Sequence, residues 1–409
     1  MLYWSARHNI CCFLDNHQYH LTAQRYECLV AAGCHDRLEA NAGQALQQLQ
    51  LFVQQQQDWC FGHLGYDIKD EIEALHSSNP DPLGFPDLHF FVPEVVLMLQ
   101  KDELVIGAFG QHQQILDQIL HTPAPSHIGT QQVLDIRQRF SKEEYLSRLE
   151  KIKEHILRGD CYEINFCQEF YNEHATIDPL SLYISLCRES PNPYACFYRI
   201  GSRYLLCASP ERYINRQGNR ILSQPIKGTA ARHREDPGAD LASRQSLQHS
   251  VKDRSENVMV VDLVRNDLSK VSRKGSVKVE ELFGIYDFPQ VYQMVSTISG
   301  ELKPYTTIAD IFRASFPMAS MTGVPKKRVM ELIDRYEAVK RGLYSGTTGY
   351  ITPNGDFDFN VVIRSILYNA GTRYLSFQTG SAITFNSDPV AEYEECLLKA
   401  MAIKKVLNG

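Results

Sequence analysis

The stretch Gly346-Thr-Thr-Gly-Tyr-Ile-Thr-Pro-Asn-Gly-Asp-Phe-Asp-Phe-Asn-Val-Val-Ile-Arg-Ser-Ile-Leu367 decides the fold class. Two runs rich in β-branched and aromatic residues flank Pro353-Asn-Gly-Asp356, and Asn-Gly readily takes the positive φ values of a tight hairpin. The spacing predicts Gly346–Thr352 antiparallel to Asp358–Leu367, with Tyr374–Thr379 added beside them. The same pattern upstream predicts pairs of Cys196–Ile200 with Tyr204–Ala208 and of Tyr213–Asn215 with Arg220–Leu222. Helical periodicity covers 236–268, 307–314, 325–338 and 389–408. Ser141-Lys-Glu-Glu144 reads as a capping box opening a helix that ends near Arg158, before an alternating strand Cys161–Cys167. No strict strand–helix–strand rhythm runs through the chain. The expected class is therefore α+β, one large fold of antiparallel sheets packed together and covered by helices.

Residues 1–120 are expected to form a β-rich subdomain that packs on the rest, with strand-like runs at Leu88–Leu99 and Glu103–Gly107. The glutamine-rich stretch Gln44–Gln57 carries Leu46, Leu49, Leu51 and Val53 and reads as an amphipathic surface helix. Residues 121–140, including Thr122-Pro-Ala-Pro-Ser126, are expected to be a linker or edge loop, and 141–409 the catalytic region. Over 409 residues the net charge is −6, which offers no electrostatic footprint for nucleic acid or an anionic membrane. The 11 cysteines form neither a CxxC pair nor a zinc spacing, so buried thiols in a reducing compartment are expected. No leader-like start and no long uncharged apolar run is present, and the expected location is the cytoplasm.

Several residue patterns carry possible chemistry. Asp253 and Glu256 are i,i+3 neighbours on one helix, while Glu392, Glu395 and Lys399 share a face of another. Two such helices could share Mg²⁺, a hard ion that takes oxygen ligands. Glutamates on helices are ordinarily solvated, and spacing alone does not bring the two helices together. Ser320-Met-Thr-Gly-Val-Pro325 enters a helix, and Gly380-Ser-Ala follows a strand. Both suit an anion approaching backbone N–H groups, although most such turns are simple caps. Arg364 stands in an apolar run and needs either an anionic ligand or an internal carboxylate. Lys227, in Pro225-Ile-Lys-Gly-Thr229, would be a nucleophile if desolvation removed its charge, and otherwise an ordinary loop lysine. Neither GxxxxGK[ST] nor GxGxxG occurs.

Taken together, these segments closely resemble the chorismate-utilising family of anthranilate, aminodeoxychorismate, isochorismate and salicylate synthases. The resemblance runs in order through Gly159-Asp160, Ser209-Pro-Glu-Arg212, Pro225–Thr229, Glu256 with Val261–Leu268, Phe316-Pro with Ser320–Lys326, Arg341–Gly346, Asp358-Phe-Asn with Ile363-Arg364, and Ser387-Asp-Pro with Glu392–Glu395. It implies a chorismate-binding fold and Mg²⁺ as cofactor. It also implies Glu256 and Glu395 as metal ligands, with Asp253 and Glu392 beside them. Tyr344 and Arg364 would meet the enolpyruvyl carboxylate. The Gly228-Thr229 backbone, Ser320, Gly380 and Lys399 would line the pocket, and Glu211 would protonate the departing C4 hydroxyl.

Within that family Lys227 points to the aminodeoxychorismate synthases, where a lysine here is a covalent nucleophile and anthranilate synthases usually carry alanine. The implied activity is that of component I, an aminating synthase of the transaminase class on the route to para-aminobenzoate and folate. The implied partners are chorismate, ammonia and a separate glutamine amidotransferase subunit in a heterodimer. Three places depart from the family pattern. Glu163 stands where ammonia-using members usually have Gln and water-using members Lys, Gln293 replaces a common histidine, and Gly380-Ser-Ala382 replaces a glycine-rich triplet. The tryptophan-binding signature of feedback-regulated relatives is not recognisable. The competing readings are anthranilate synthase component I and a non-catalytic amidotransferase-binding scaffold.

Overall fold

The computed structural model describes residues 1–19, 21, 23–123 and 134–408. All paired strands are antiparallel and fall into two large sheets. The first runs in the order Gly323–Val324, Glu163–Asn172, Tyr374–Thr384, Ser365–Asn369, Arg203–Ser209, Tyr194–Ile200, Ile10–Asp15, Cys28–Ala32, Val95–Gln100 and Glu103–Ala108. The second runs Ile226–Ala231, Val291–Glu301, Arg220–Gln224, Arg212–Gln217, Phe357–Asn360, Thr347–Ile351, Cys60–Leu64, Leu88–Val92 and Asp36–Ala40.

Alternation along the strands explains how the layers stack. Cys12, Leu29 and Ala31 join Phe61, Phe90, Ile214 and Phe359 in a core shared by the two sheets. Their neighbours Cys11, Phe13 and Val30 point the other way, into a core with Tyr145, Leu182, Leu332 and Ile403 from covering helices. Because both faces are covered, Glu163–Asn172 is buried along its first eight residues instead of alternating between core and solvent. All 11 cysteines are free thiols. No helix among the described residues is long and apolar enough to cross a membrane.

The expected α+β architecture is present, with corrections at several elements. The hairpin forms, but only between Thr347–Ile351 and Phe357–Asn360. The chain then leaves the second sheet, turns at Arg364 with φ +52°, and enters the first sheet as Ser365–Asn369. The run Leu88–Leu99 likewise divides at Pro93, which has no N–H for a ladder, and its halves join different sheets. The helix expected over 236–268 is two, Pro237–His249 and Val251–Val271. Ser250 ends the first, and its hydroxyl accepts from the Asp253 N–H at 3.2 Å to start the second. The Ser141 capping box is present, with its helix Lys142–Leu157 ending at Arg158.

The first 120 residues supply strands to both sheets. Ile10–Asp15 pairs with Tyr194–Ile200, and Cys60–Leu64 pairs with Thr347–Ile351. Of the expected linker, residues 124–133 lie outside the described residues, and Arg137–Gln138 pairs with Glu163–Asn172. Helix Val251–Val271 packs on strands Ile226–Ala231 and Val291–Glu301. The last helix, Pro389–Asn408, packs on Tyr374–Thr384. These two helices meet near their N-terminal ends.

Candidate active site

Lys227 lies on an edge strand of the second sheet and is 8% exposed. Its Nζ donates to Oε1 of Glu163, on the first sheet, at 2.8 Å. Burial works to lower the lysine's pKa, but the carboxylates of Glu163, Glu256 and Glu211 outweigh it and hold the ammonium form above its ordinary range. The expectation that desolvation leaves a neutral amine is therefore corrected: at rest Lys227 is a charged partner of Glu163. Glu211 follows strand Arg203–Ser209 and is 3% exposed. Burial pushes its carboxyl up to about 7, against the pull of the Ser320 hydroxyl, the Ile226 N–H and Lys227. Ser320 is buried in the short 3₁₀ turn Ala319–Met321.

The acidic residues converge on a lysine that sequence reading did not single out. Lys252 Nζ stands 3.0 Å from Glu392, 3.7 Å from Glu395 and 3.9 Å from Glu256. Both helices thus present their carboxylates to one point. Burial raises the Glu256 carboxyl to about 7, with Lys227 and Lys252 opposing and Glu163 and Asp253 adding. Glu395 is held below its usual range because Lys399, Lys252 and Lys227 outweigh its burial. Asp253 faces Gly228, whose φ is +95° and where a Cβ would come within 3.0 Å of the Asp253 side chain. The lack of a Cβ at Gly228 lets this strand lie close to the acidic helix.

Hard carboxylate oxygens suit Mg²⁺, and two of them are orphaned: Glu256 Oε1 and Glu392 Oε2 are buried without a hydrogen-bond partner. Among the described residues no three acidic side chains are already gathered as a cation cage. The donor set fits the ion by chemistry and by its orphaned oxygens, with Lys252 now serving as the counter-cation.

A second group of candidate residues is cationic and aromatic. Arg364 Nη1 donates to the Lys399 carbonyl at 3.3 Å, and among the described residues no carboxylate lies within ion-pair distance of it. Arg364 thus makes no direct ion pair, although Glu395 acts on it at longer range, and its half-buried guanidinium suits an anion. It borders a cleft with Asn192, Pro210, Phe288 and Gln293. Gln293 is 4% exposed, and its Oε1 is unpartnered. Lys399 Nζ reaches both Glu395 (2.7 Å) and the Gly380 carbonyl (2.9 Å). Tyr344 is buried, with its hydroxyl 3.5 Å from Cys167 Sγ. Gly380 has a structural reason of its own, since a Cβ there would strike the Phe166 carbonyl at 2.0 Å. Thr229 is exposed on its strand.

Arg341 ties several of these segments together. It pairs with Glu337 and donates to the carbonyls of Met321 (2.7 Å) and Asn165 (2.8 Å). The sequence contained Arg341 within a family motif but assigned it no role. Its burial at 2% was the missing information. Lys252 carried a faint signal as the i,i+4 neighbour of Glu256. Glu163 was visible only as a departure from a pattern.

The profile of the chorismate binding enzyme family matches residues 5–405. A rice protein named "Probable aminodeoxychorismate synthase, chloroplastic" is 36% identical over 388 residues, covering 85% of this chain and 43% of the rice protein. The chain thus spans less than half of that relative. "Aminodeoxychorismate synthase component 1" of Bacillus subtilis is 32% identical over 367 residues, covering 86% of this chain and 77% of the relative. The crystal structure of anthranilate synthase component I from Streptococcus pneumoniae superposes with a TM-score of 0.80 at 25% identity. The match covers 94% of this chain and 93% of the other.

Proposed function

This chain belongs to the chorismate-binding enzyme family, and from that premise we propose that it is an aminodeoxychorismate synthase component I, converting chorismate and ammonia to 4-amino-4-deoxychorismate. One observation carries the choice of product: Lys227 is buried among Glu163, Glu211 and Glu256, a setting that supports its reading as the nucleophile. The two relatives named aminodeoxychorismate synthase support the same reading, while the S. pneumoniae structure favours anthranilate synthase as the second.

In the proposed mechanism Arg364 and Tyr344 receive the enolpyruvyl carboxylate, and Ser320 and the Gly228-Thr229 backbone line the ring. Mg²⁺ held by Glu256 and Glu395, with Asp253 and Glu392 beside them, would supply positive charge for the ring carboxylate. The Lys227 amine attacks C2, the ring double bond shifts, and the C4 hydroxyl leaves as water with the proton of Glu211. A carboxyl pushed up to about 7 retains that proton near neutrality, which hydroxide needs in order to depart. Ammonia then adds at C4 and the C2–N bond breaks. A glutamine amidotransferase subunit would deliver the ammonia, in keeping with the "component 1" of the B. subtilis relative's name. A reducing cytoplasm suits 11 unpaired thiols.

The test is intact-mass analysis after mixing with chorismate and Mg²⁺ but no ammonia. The wild type is expected to gain the mass of chorismate less water at Lys227, and Lys227→Ala to gain nothing. A fully active Lys227→Ala enzyme, with no adduct on the wild type, overturns the reading.

A further inference from the structure

We propose that Glu163 is the catalytic base of this site, taking the proton from the Lys227 ammonium before attack and returning it when the amine departs. The proposal rests on the reading of Lys227 as nucleophile and adds what that reading lacks. An ammonium nitrogen has no lone pair to donate, and the resting Lys227 is an ammonium within an ion pair.

Geometry singles out the acceptor. Four carboxylates act on Lys227: Glu163, Glu211, Glu256 and Glu395. Only Glu163 is in hydrogen-bond contact with Nζ among the described residues, at 2.8 Å. Glu256 and Glu395 face Lys252, and Glu211 must hold its own proton for the leaving hydroxyl. Glu163 is 2% exposed on a strand fixed on both sides, by Thr384 and by Val324. Its Oε2 is buried without a partner, an arrangement that costs free energy unless a reactant or a proton completes it.

The protons balance over a cycle. Lys227 ammonium and Glu163 carboxylate become amine and carboxylic acid. The nitrogen lone pair forms the C2–N bond, the C4–O bond breaks, and water leaves with the Glu211 proton. Ammonia next forms the C4–N bond, and the C2–N pair returns to Nζ. The new C4 ammonium gives one proton back to Glu211, and Glu163 gives its proton back to the amine. The sum is chorismate plus ammonia giving aminodeoxychorismate plus water.

Glu163→Gln keeps the size and the hydrogen bond but cannot take a proton. The experiment follows the rate of adduct formation on Lys227 in the ammonia-free wild type and in this variant, from pH 6 to 9. Because the Glu211 limb is common to both, the ratio of the two rates isolates position 163. The expected result is a variant slowed roughly 10²–10³-fold at pH 6, with the ratio shrinking as pH rises and solvent removes the proton instead. Glu163→Asp, which keeps the base, should lie between the two and follow the wild-type pH profile. Equal rates, or a ratio constant with pH, overturn the proposal, the latter by marking Glu163 as a positioning residue. Absence of any adduct on the wild type is a different outcome, in which the nucleophile reading fails and this proposal falls with it.

Discussion

Glu211 and Lys227 show how burial acts in opposite directions on neighbouring groups. Both side chains leave water, yet Glu211 has its carboxyl pushed up to about 7 while Lys227, ringed by carboxylates, keeps its charge. The acid form of Glu211 is full below that value and is lost as pH rises through it. Adduct formation should therefore fall on an alkaline limb with a midpoint near 7, and Glu211→Gln should slow it by roughly 10²–10⁴-fold while chorismate binding is retained. A Glu211→Gln enzyme as fast as wild type would remove Glu211 from the chemistry. The same shift has a stability consequence. A carboxyl raised in the folded state favours folding below its unfolded pKa, and that contribution is lost as pH climbs to about 7. Glu211→Gln should thus stabilise the fold at pH 8 more than at pH 5, by on the order of 3 kcal/mol at most, read as a larger rise in melting temperature at pH 8. An equal change at both pH values would show that Glu211 is not buried as a costly anion. None of this was legible in Ser209-Pro-Glu-Arg212, because a sequence names a carboxyl but not the dielectric around it.

Between elements, the acidic helix and the C-terminal helix converge on Lys252, a meeting that i,i+3 spacing on each helix could not reveal. Three carboxylates within 4 Å of one ammonium are compensated at rest, and a divalent cation entering the cluster competes with that charge. Lys252→Met is expected to tighten Mg²⁺ binding several-fold in a calorimetric titration, and to lower the melting temperature of the metal-free protein at low salt. Unchanged Mg²⁺ affinity would mean that the lysine and the ion do not share the site. Strand ends were legible wherever turn chemistry marks them, as at Pro353-Asn-Gly-Asp356. They were not legible where a strand changes sheets. Asn360 to Ser365 reads as one apolar run because both sheets are buried, and only the left-handed Arg364 breaks it.

Across the whole molecule, the strands nearest the N-terminus are interior members of sheets whose other strands come from the far end of the chain. Ile10–Asp15 and Cys28–Ala32 lie between Tyr194–Ile200 and Val95–Gln100. Removing residues 1–140 would expose the edge at Tyr194–Ile200 and strip Thr347–Ile351 of one of its two partners. The fragment 141–409 is expected not to fold alone, with no cooperative melting transition by circular dichroism. A fragment that melts cooperatively would show instead that 141–409 is a unit separable from the subdomain expected over 1–120. The motifs from Gly159 to Glu395 pointed to chorismate chemistry by their order in the chain, and the fold brings part of them together around Lys227 and Lys252 while others, such as Asp160 and Asp358, serve in ion pairs elsewhere. The proposed product rests on Lys227, and product identity therefore tests the account most directly. Chorismate, Mg²⁺ and ammonium incubated with the purified chain should yield non-fluorescent 4-amino-4-deoxychorismate with no pyruvate released. Fluorescent anthranilate accompanied by pyruvate would contradict it.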